Sequence, residues 1–514
     1  MNNLSRNNSI SKKDIYILII LFFIFLFFWI LILSIHQYNY FNLKGSRFQT
    51  NINAVLNDSS FVASAKKIYN KEGYIVFGPY LKIQKGNYSV SSSLYFENYS
   101  NNSHLVNFEI YNGKNSIFLK EIYSSELDSN NTYNVYAEFE HDGNLGKEIE
   151  IRIYYFSNSD VIIKYIKFKK KYNLIDFFEE IFIKWDGFHY RSIAEKGYRF
   201  HTDDKGIIYG NVAWFPFYPI IGSFFIHFFN FNPTLVMVLI SWICFLFSII
   251  LLFCLILKDF SKKIAYLSII ALFSFPTSFY FLTGFPYSLF LFLSLSIFLL
   301  LRKNRFYISS ILEGFLIITY PSGILIYIAK FYYFLKNNQI KSFKDFLKNF
   351  LKIKNLTLFV IPIAFLFAFF FFYFIKFGNF FLFIDAQRFL GKGHYLTFFV
   401  TPLVKTFFLG IFLFTKKILN PEFLILLFIV FGIFLFYTRK LNFLYTLYGF
   451  SFIAFTPTFG STECIYRQII ISFPIFLMIG ISEKPIYLKI IYFLIGFIIG
   501  VLFYSKYFIM NILV

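Results

Sequence analysis

IKWDGFHYRSIAEKGYRF, residues Ile183 to Phe200, is an acid-bearing, aromatic, amphipathic segment in a chain otherwise dominated by apolar runs. Its surroundings decide the fold. Phe supplies 81 of 514 residues, 57% of the chain is hydrophobic and only 15% is charged, more apolar surface than a soluble domain of this size could bury. Apolar runs of about 17–25 residues recur, the length that crosses the hydrocarbon core of a bilayer. The class is therefore a polytopic α-helical membrane protein, in which a carboxylate at Asp186 needs a reason to be present.

The net charge of +21 does not imply a nucleic-acid partner, because of where the cations lie. Lys and Arg gather in short loops between apolar runs: Arg6, Lys12 and Lys13; Lys258, Lys262 and Lys263; Arg302, Lys303 and Arg305; and the stretch Lys336 to Lys354. That is the positive-inside pattern, which orients helices. The three cysteines, Cys244, Cys254 and Cys464, have neither CxxC spacing nor partners that would suggest a disulfide framework or zinc site. The first apolar run, Ile15 to Ile35, is too long for a signal-peptide core and lacks a small-residue cleavage site, so it reads as a retained anchor.

A cytoplasmic N-terminus (1–14) and a first transmembrane helix (15–35) place residues 36–172 outside the cell membrane. Period-2 alternation runs through Tyr74–Phe77, Tyr88–Phe96, Val106–Tyr111, Tyr133–Phe139 and Ile149–Tyr155, with turn signals at Gly86-Asn87, Asn112-Gly113 and Asp142-Gly143. About eight short strands at this spacing predict an extracytoplasmic, antiparallel β-sandwich. Within it GPYLKIQKGNYSVSSSLYF, Gly78 to Phe96, resembles jelly-roll carbohydrate-binding modules in its Gly-Pro-Tyr and Gly-x-Tyr pattern. A structural cap without a ligand is the plain alternative, since fold alone does not give function.

Residues 173–233 form an outer loop with interfacial helices. WFPFYPIIGSFFIHFF, Trp214 to Phe229, is short and proline-interrupted, and a full crossing there would break the parity of the basic loops. An interfacial or re-entrant helix is expected. The domain 234–514 holds further crossings near 234–257, 263–282, 285–301, 306–320, 322–336, 357–377, 422–438, 441–458, 467–482 and 486–508. With the anchor this makes a bundle of about 11 transmembrane helices. Residues 379–421 then lie outside, although Lys416 and Lys417 fit that side poorly.

In DGFHYRSIAEKG, Asp186 stands where a helix would begin and Gly197 where it would end. Tyr190, Ile193, Ala194 and Gly197 make one packing face at three- and four-residue spacing. A carboxylate at the helix N-terminus is favoured in its ionised form by the exposed N–H groups. Beside an apolar cleft it suits a general base that deprotonates a sugar hydroxyl; a simple N-cap residue is the competing reading. Arg467, at the outer end of a span, requires an anion, either a lipid-linked phosphate or a salt bridge to Glu463 or Asp385. Arg388 and Lys392 are outer-loop cations able to hold phosphate, or else a solvated face. His189 could contact sugar, or pack at the interface. No cluster of His, Asp and Glu has metal-ligand spacing. No Walker or GxGxxG run is present, so neither a metal nor a nucleotide cofactor is expected.

WDGFHYRSIAEKGY followed by NVAWFPFYPII resembles the mannosyltransferases of the PIG-V family (GPI mannosyltransferase II and its relatives), which belong to the GT-C class of polytopic glycosyltransferases. The matching positions are Trp185, Asp186, Tyr190, Ile193, Ala194, Gly197, Tyr198, Phe215, Pro216, Tyr218 and Pro219. Looser similarity continues in Phe275–Arg305, in Gly378–Gly393 with its Ala-Gln pair at Gln387, and in Glu463–Phe476. The resemblance implies a GT-C-like bundle and Asp186 as catalytic base. Trp185, His189, Tyr190, Gln387, Arg388 and Arg467 are the candidate substrate contacts. The implied donor is a polyprenyl-phosphate sugar, mannose or a related hexose, and the acceptor a glycan or glycolipid among the membrane lipids. Tyr320 stands where relatives often carry Arg, and Leu289 where an acid is expected after Tyr-Ser. The alternative is a transporter or flippase of lipid-linked glycans, which predicts internal repeats and ionisable pairs in mid-membrane; the sequence places its charges at helix ends and shows no repeat.

Overall fold

A computed structural model describes residues 10–37, 41–58, 61–67, 69–81, 83, 86–142, 148–171, 174–388, 398, 400–415, 421–455, 457–459 and 465–504. The chain divides into two compact units, one of residues 1–32 and 178–508, the other of 33–177 and 509–514.

The second unit is β-rich. Its strands are β1 (Phe41–Asn42), β2 (Val55–Leu56), β3 (Ala63–Ala65), β4 (Gly73–Val76), β5 (Gly86–Glu97), β6 (His104–Tyr111), β7 (Ser116–Tyr123), β8 (Thr132–His141), β9 (Glu150–Tyr155) and β10 (Asp160–Lys171). They form two antiparallel sheets, ordered β2-β3-β10-β5-β8, with β1 also on β10, and β4-β9-β6-β7. Alternation of exposed and buried residues from Asn134 to His141 of β8 shows why a period-2 sequence folds this way: one face is covered and the other is wet. Val90, Leu94 and Phe96 of the first sheet and Val106, Phe108 and Ile153 of the second belong to one hydrophobic cluster. The Asn112-Gly113 turn joins β6 to β7 with Gly113 at φ 81°. The expected turn at Gly86-Asn87 is instead the start of β5, where both residues pair with β8. Gly143 of the third turn lies outside the described residues.

The first unit is helical. Its elements are α1 (Lys12–Gln37), α2 (Leu174–Phe182), α3 (Asp186–Lys196), the hairpin β11 (Phe200–Thr202) and β12 (Ile208–Gly210), α4 (Phe217–Phe229), α5 (Pro233–Leu257), α6 (Lys262–Phe273), α7 (Tyr287–Arg302), α8 (Phe306–Ile317), α9 (Tyr327–Asn337), α10 (Phe343–Phe350), α11 (Ile353–Phe377), α12 (Leu382–Gln387), α13 (Val400–Thr415), α14 (Pro421–Phe436), α15 (Phe443–Phe455), α16 (Ile465–Gln468), α17 (Phe473–Ile481) and α18 (Ile486–Tyr504). Four of these, α1, α5, α11 and α18, are long and apolar enough to cross a membrane, and shorter apolar helices include α4, α7, α8 and α14. The chain is thus mostly helical with several apolar helices of membrane length, as a multi-pass membrane protein requires.

Three expected spans are not continuous α-helices, and each has a proline in or beside its irregular stretch. The run at 263–282 stops as a helix at Phe273 and continues past Pro276 as a 3-10 turn, Ser278–Leu282. The run at 322–336 opens with the 3-10 turn Pro321–Ile326 before α9. The run at 467–482 divides into α16, the turn Ile469–Ile471 and α17, with Pro474 in the first turn of α17. Proline lacks the N–H that would continue a helix and disfavours helical geometry in the residue before it.

The expectation that charges sit only at helix ends also needs correction. Glu313 in the middle of α8 and Lys330 in α9 are fully buried and ion-paired at 2.6 Å. The Lys330 ammonium donates further to Ser310 Oγ at 2.9 Å and to the Leu358 carbonyl of α11, so three helices share one cation. The sequence concealed the pair because its partners lie on different helices.

Candidate active site

The site is built where the first motif turns. Trp185 precedes α3 at φ 44°, a left-handed conformation that a bulky side chain adopts only under constraint, at about 1–3 kcal/mol of strain. The constraint is visible. Gly284 N donates to the Phe182 carbonyl at 2.8 Å, and a Cβ at Gly284 would stand 2.3 Å from Ile183 Cδ1. The 182–187 turn and the 283–285 turn therefore lie backbone against backbone. The second turn is itself held by Trp242 Nε1 on the Leu282 carbonyl at 2.8 Å and by Ser241 Oγ on the Phe285 carbonyl at 3.2 Å.

Helix α3 begins at Asp186, so the carboxylate occupies the first turn; the cap position belongs to Trp185 and not to Asp186. The helix ends at Gly197, φ 75°, as its sequence predicts. Gly187, Tyr190, Ile193 and Ala194 are its buried residues. Tyr190 packs edge-on to Tyr218 at 5.7 Å, and burial pushes its phenol well above the usual range, leaving a neutral hydroxyl.

Arg467 of α16 donates from Nη1 to Asp186 Oδ2 at 2.8 Å. The arginine side chain is 9% exposed and the aspartate 33%. Helix α16 is tied to the proline-broken segment by Thr277 Oγ1, which donates to the Tyr466 carbonyl at 2.7 Å. The guanidinium lies 5.7 Å from the Phe285 ring centroid and 5.9 and 6.0 Å from those of Tyr466 and Tyr280, within cation-π range. From there the aromatic wall continues: Phe285 stacks on Tyr287 at 5.6 Å, Tyr287 meets Tyr320 edge-on at 5.3 Å, and their hydroxyls approach to 3.5 Å. Three sequence motifs far apart in the chain thus meet at one carboxylate, one guanidinium and a tyrosine wall.

The remaining sequence candidates divide. His189 stacks on Trp214, centroids 3.6 Å apart and planes 11° from parallel, and burial holds its imidazole below the usual histidine range. Gln387 is committed to the backbone, its Nε2 donating to the Ala213 carbonyl at 2.6 Å. Arg388 is 67% exposed and lies 3.6 Å from Asp385; among the described contacts none joins it to Asp186 or Arg467. Lys392 and Glu463 lie outside the described residues. Sequence reasoning missed the tyrosine wall, and it noted Tyr320 only as a departure from Arg.

It also missed a strap. Tyr373 donates to the Val212 carbonyl (2.8 Å), Gln387 to Ala213 and Tyr198 to Trp214 (2.7 Å), so side chains hold three successive carbonyls. Asn211 completes it, accepting from Arg199 N at 2.7 Å and donating to the Gly197 carbonyl at 3.1 Å. The strap holds Trp214 against His189 one turn after Asp186. Gln387→Leu should therefore strand a buried carbonyl at about 1–3 kcal/mol, lowering the melting temperature in detergent and kcat. A KM-only effect on donor would instead make Gln387 a substrate contact.

The imidazole offers a pH test. A histidine whose pKa is depressed by folding binds fewer protons folded than unfolded, so its stabilisation is intact above about pH 6.5 and is lost as pH falls below it. Between pH 7.5 and 5.5 the wild type should lose a few degrees more melting temperature than His189→Phe, which keeps a ring on Trp214 but cannot titrate. Equal losses would show that the stack does not feel protonation.

No family model matches the chain, and no curated protein matches it. Among solved structures it is similar to ArnT from Cupriavidus metallidurans bound to undecaprenyl phosphate, with TM-score 0.42 and 14% identity over 64% of this chain and 62% of that one. The apo state of the same protein gives TM-score 0.38 and 13% identity over 61% and 59%. The chain thus spans less than two thirds of either ArnT chain. A carbohydrate-binding module, CBM6cm-2 from Cellvibrio mixtus lichenase 5A in complex with cellotriose, gives TM-score 0.18 and 10% identity over 26% of this chain and 98% of the module.

Proposed function

We propose that this chain is a membrane glycosyltransferase of the GT-C type. It moves mannose or a related hexose from a polyprenyl-phosphate-linked donor to a glycan or glycolipid acceptor on the extracytoplasmic face. The observation that carries this reading is the meeting of Asp186 and Arg467 at 2.8 Å beside a wall of tyrosines. A base, a phosphate-sized cation and hydroxyl-bearing aromatic rings are the parts such a transfer needs. Kinship with the PIG-V-like family rests on the residue motifs alone.

In this mechanism Asp186 accepts the proton of the acceptor hydroxyl as its oxygen attacks the anomeric carbon. The bond from that carbon to the phosphate oxygen breaks, the electron pair leaves with the lipid phosphate, and the sugar inverts. Arg467 stabilises the charge gathering on the departing phosphate. Its planar guanidinium suits a phosphate better than an ammonium would. Arg388 could guide the anionic headgroup from its exposed position, and the β-rich unit could hold a glycan acceptor.

The test is transfer itself. Purified protein in detergent, given radiolabelled polyprenyl-phosphate-mannose and a membrane-lipid extract, should move label into a new glycolipid or polymer. Label that stays on the donor, across mannose, glucose and galactose donors, would defeat the reading and favour a carrier of lipid-linked glycans.

A further inference from the structure

We infer that Arg467 is a phosphate seat which Asp186 occupies at rest. The donor's phosphate must displace the carboxylate, and acceptor deprotonation waits until it has done so. This rests on the transferase reading above and adds an order to it.

The inference follows from charge and exposure. The Nη1–Oδ2 contact sets an anion against the Arg467 guanidinium, which lies among aromatic rings. Those rings can flank a guanidinium but carry no net charge, whereas the Asp186 carboxylate supplies a negative charge at 2.8 Å. Asp186 is also the more exposed of the two, so the carboxylate can leave the pair for solvent more easily than the guanidinium can. A donor phosphodiester brings a second negative charge to a guanidinium that already has a partner. Two anions sharing one cation repel. A phosphate free to orient can present two oxygens to the fork, whereas the Asp186 carboxylate is fixed by its helix and presents Oδ2 to Nη1.

Once displaced, Asp186 remains fixed by its backbone in the first turn of α3, with the oxygen that held Arg467 now free to accept a hydroxyl proton. The same carboxylate is thus a placeholder before the donor arrives and a base afterwards. The acceptor would meet a competent base only in the donor complex.

The consequence runs against intuition: removing the catalytic carboxylate should tighten donor-lipid binding. The probe is undecaprenyl phosphate, titrated into wild type, Asp186→Asn, Asp186→Ser and Arg467→Gln in detergent, with undecaprenol as the phosphate-free control. Both Asp186 variants should bind undecaprenyl phosphate about tenfold more tightly than wild type, the order expected from removing one like charge at contact distance near a surface. Arg467→Gln should bind at least about tenfold more weakly. Undecaprenol should bind all four alike. Unchanged or weaker binding by the Asp186 variants would overturn the inference, as would equal tightening for undecaprenol. Transfer is scored separately. If Asp186→Asn loses transfer without tightening the lipid phosphate, the enzyme reading stands and the placeholder falls; if it tightens the lipid yet still transfers, the phosphate seat stands and the base does not.

Discussion

Asp186→Asn should lower turnover by about 10²–10⁴-fold, the usual contribution of a positioned general base, while KM for the acceptor stays within about threefold. Asparagine keeps the shape of the side chain and can still accept from Arg467 Nη1, so the local structure should persist. The ion pair itself contributes little to folding, because a third of the aspartate side chain is open to solvent. A single-turnover assay on preloaded donor reads the chemical step directly. Undiminished turnover would remove Asp186 from the mechanism and leave its pairing with Arg467 as a structural contact between α3 and α16.

The second large effect is on stability. Lys330→Met should destabilise the protein by about 3–5 kcal/mol, because Glu313 would be left buried without its ion-pair partner. The substitution also removes the donor to Ser310 and to the Leu358 carbonyl, which links α9 to α8 and α11. α8 and α11 are packed tightly enough that a Cβ at Gly314 would stand 2.4 Å from the Phe365 ring, so the helices cannot close over the loss without rearranging. The double variant Glu313→Leu/Lys330→Met should recover most of the melting temperature, since two apolar chains replace two charges. If the single variant melts within about a degree of wild type, the pair is not what holds these helices together.

Sequence patterns made much of the architecture legible where a signal is local. The period-2 runs became β4, β5, β6, β8 and β9, and α3 runs between Asp186 and Gly197, with Gly197 at its predicted C-cap and Asp186 in the first turn behind the Trp185 cap. Arg467 is legible as a cation needing an anion; of its two expected protein partners Glu463 lies outside the described residues, and Asp385 contacts Arg388. The contact with Asp186 is non-local and no spacing encodes it. Gln387 shows a second limit of spacing: its resemblance to a substrate-contacting pair says nothing of the main-chain carbonyl that its amide holds. The tyrosine wall was unreadable because tyrosine is abundant throughout the chain, and only the proline-broken segments, which composition presents as plain spans, bring these particular rings together.

The packing of α1 has a consequence for how the molecule is made. Trp29 is almost fully buried, and its neighbours include Phe279 together with Phe497 and Tyr504 of α18. Tyr504 in turn donates to the Ile181 carbonyl at 3.0 Å, just ahead of the turn that presents Asp186. α1 is synthesised before α18 and must therefore hold an incomplete interface until α18 arrives. During that interval the indole is left to lipid or to a chaperone, and the segment leading to the carboxylate lacks a support. A chain interrupted before α18 could insert every earlier helix and still be catalytically silent, so that synthesis itself delays the appearance of a competent site until the bundle is closed.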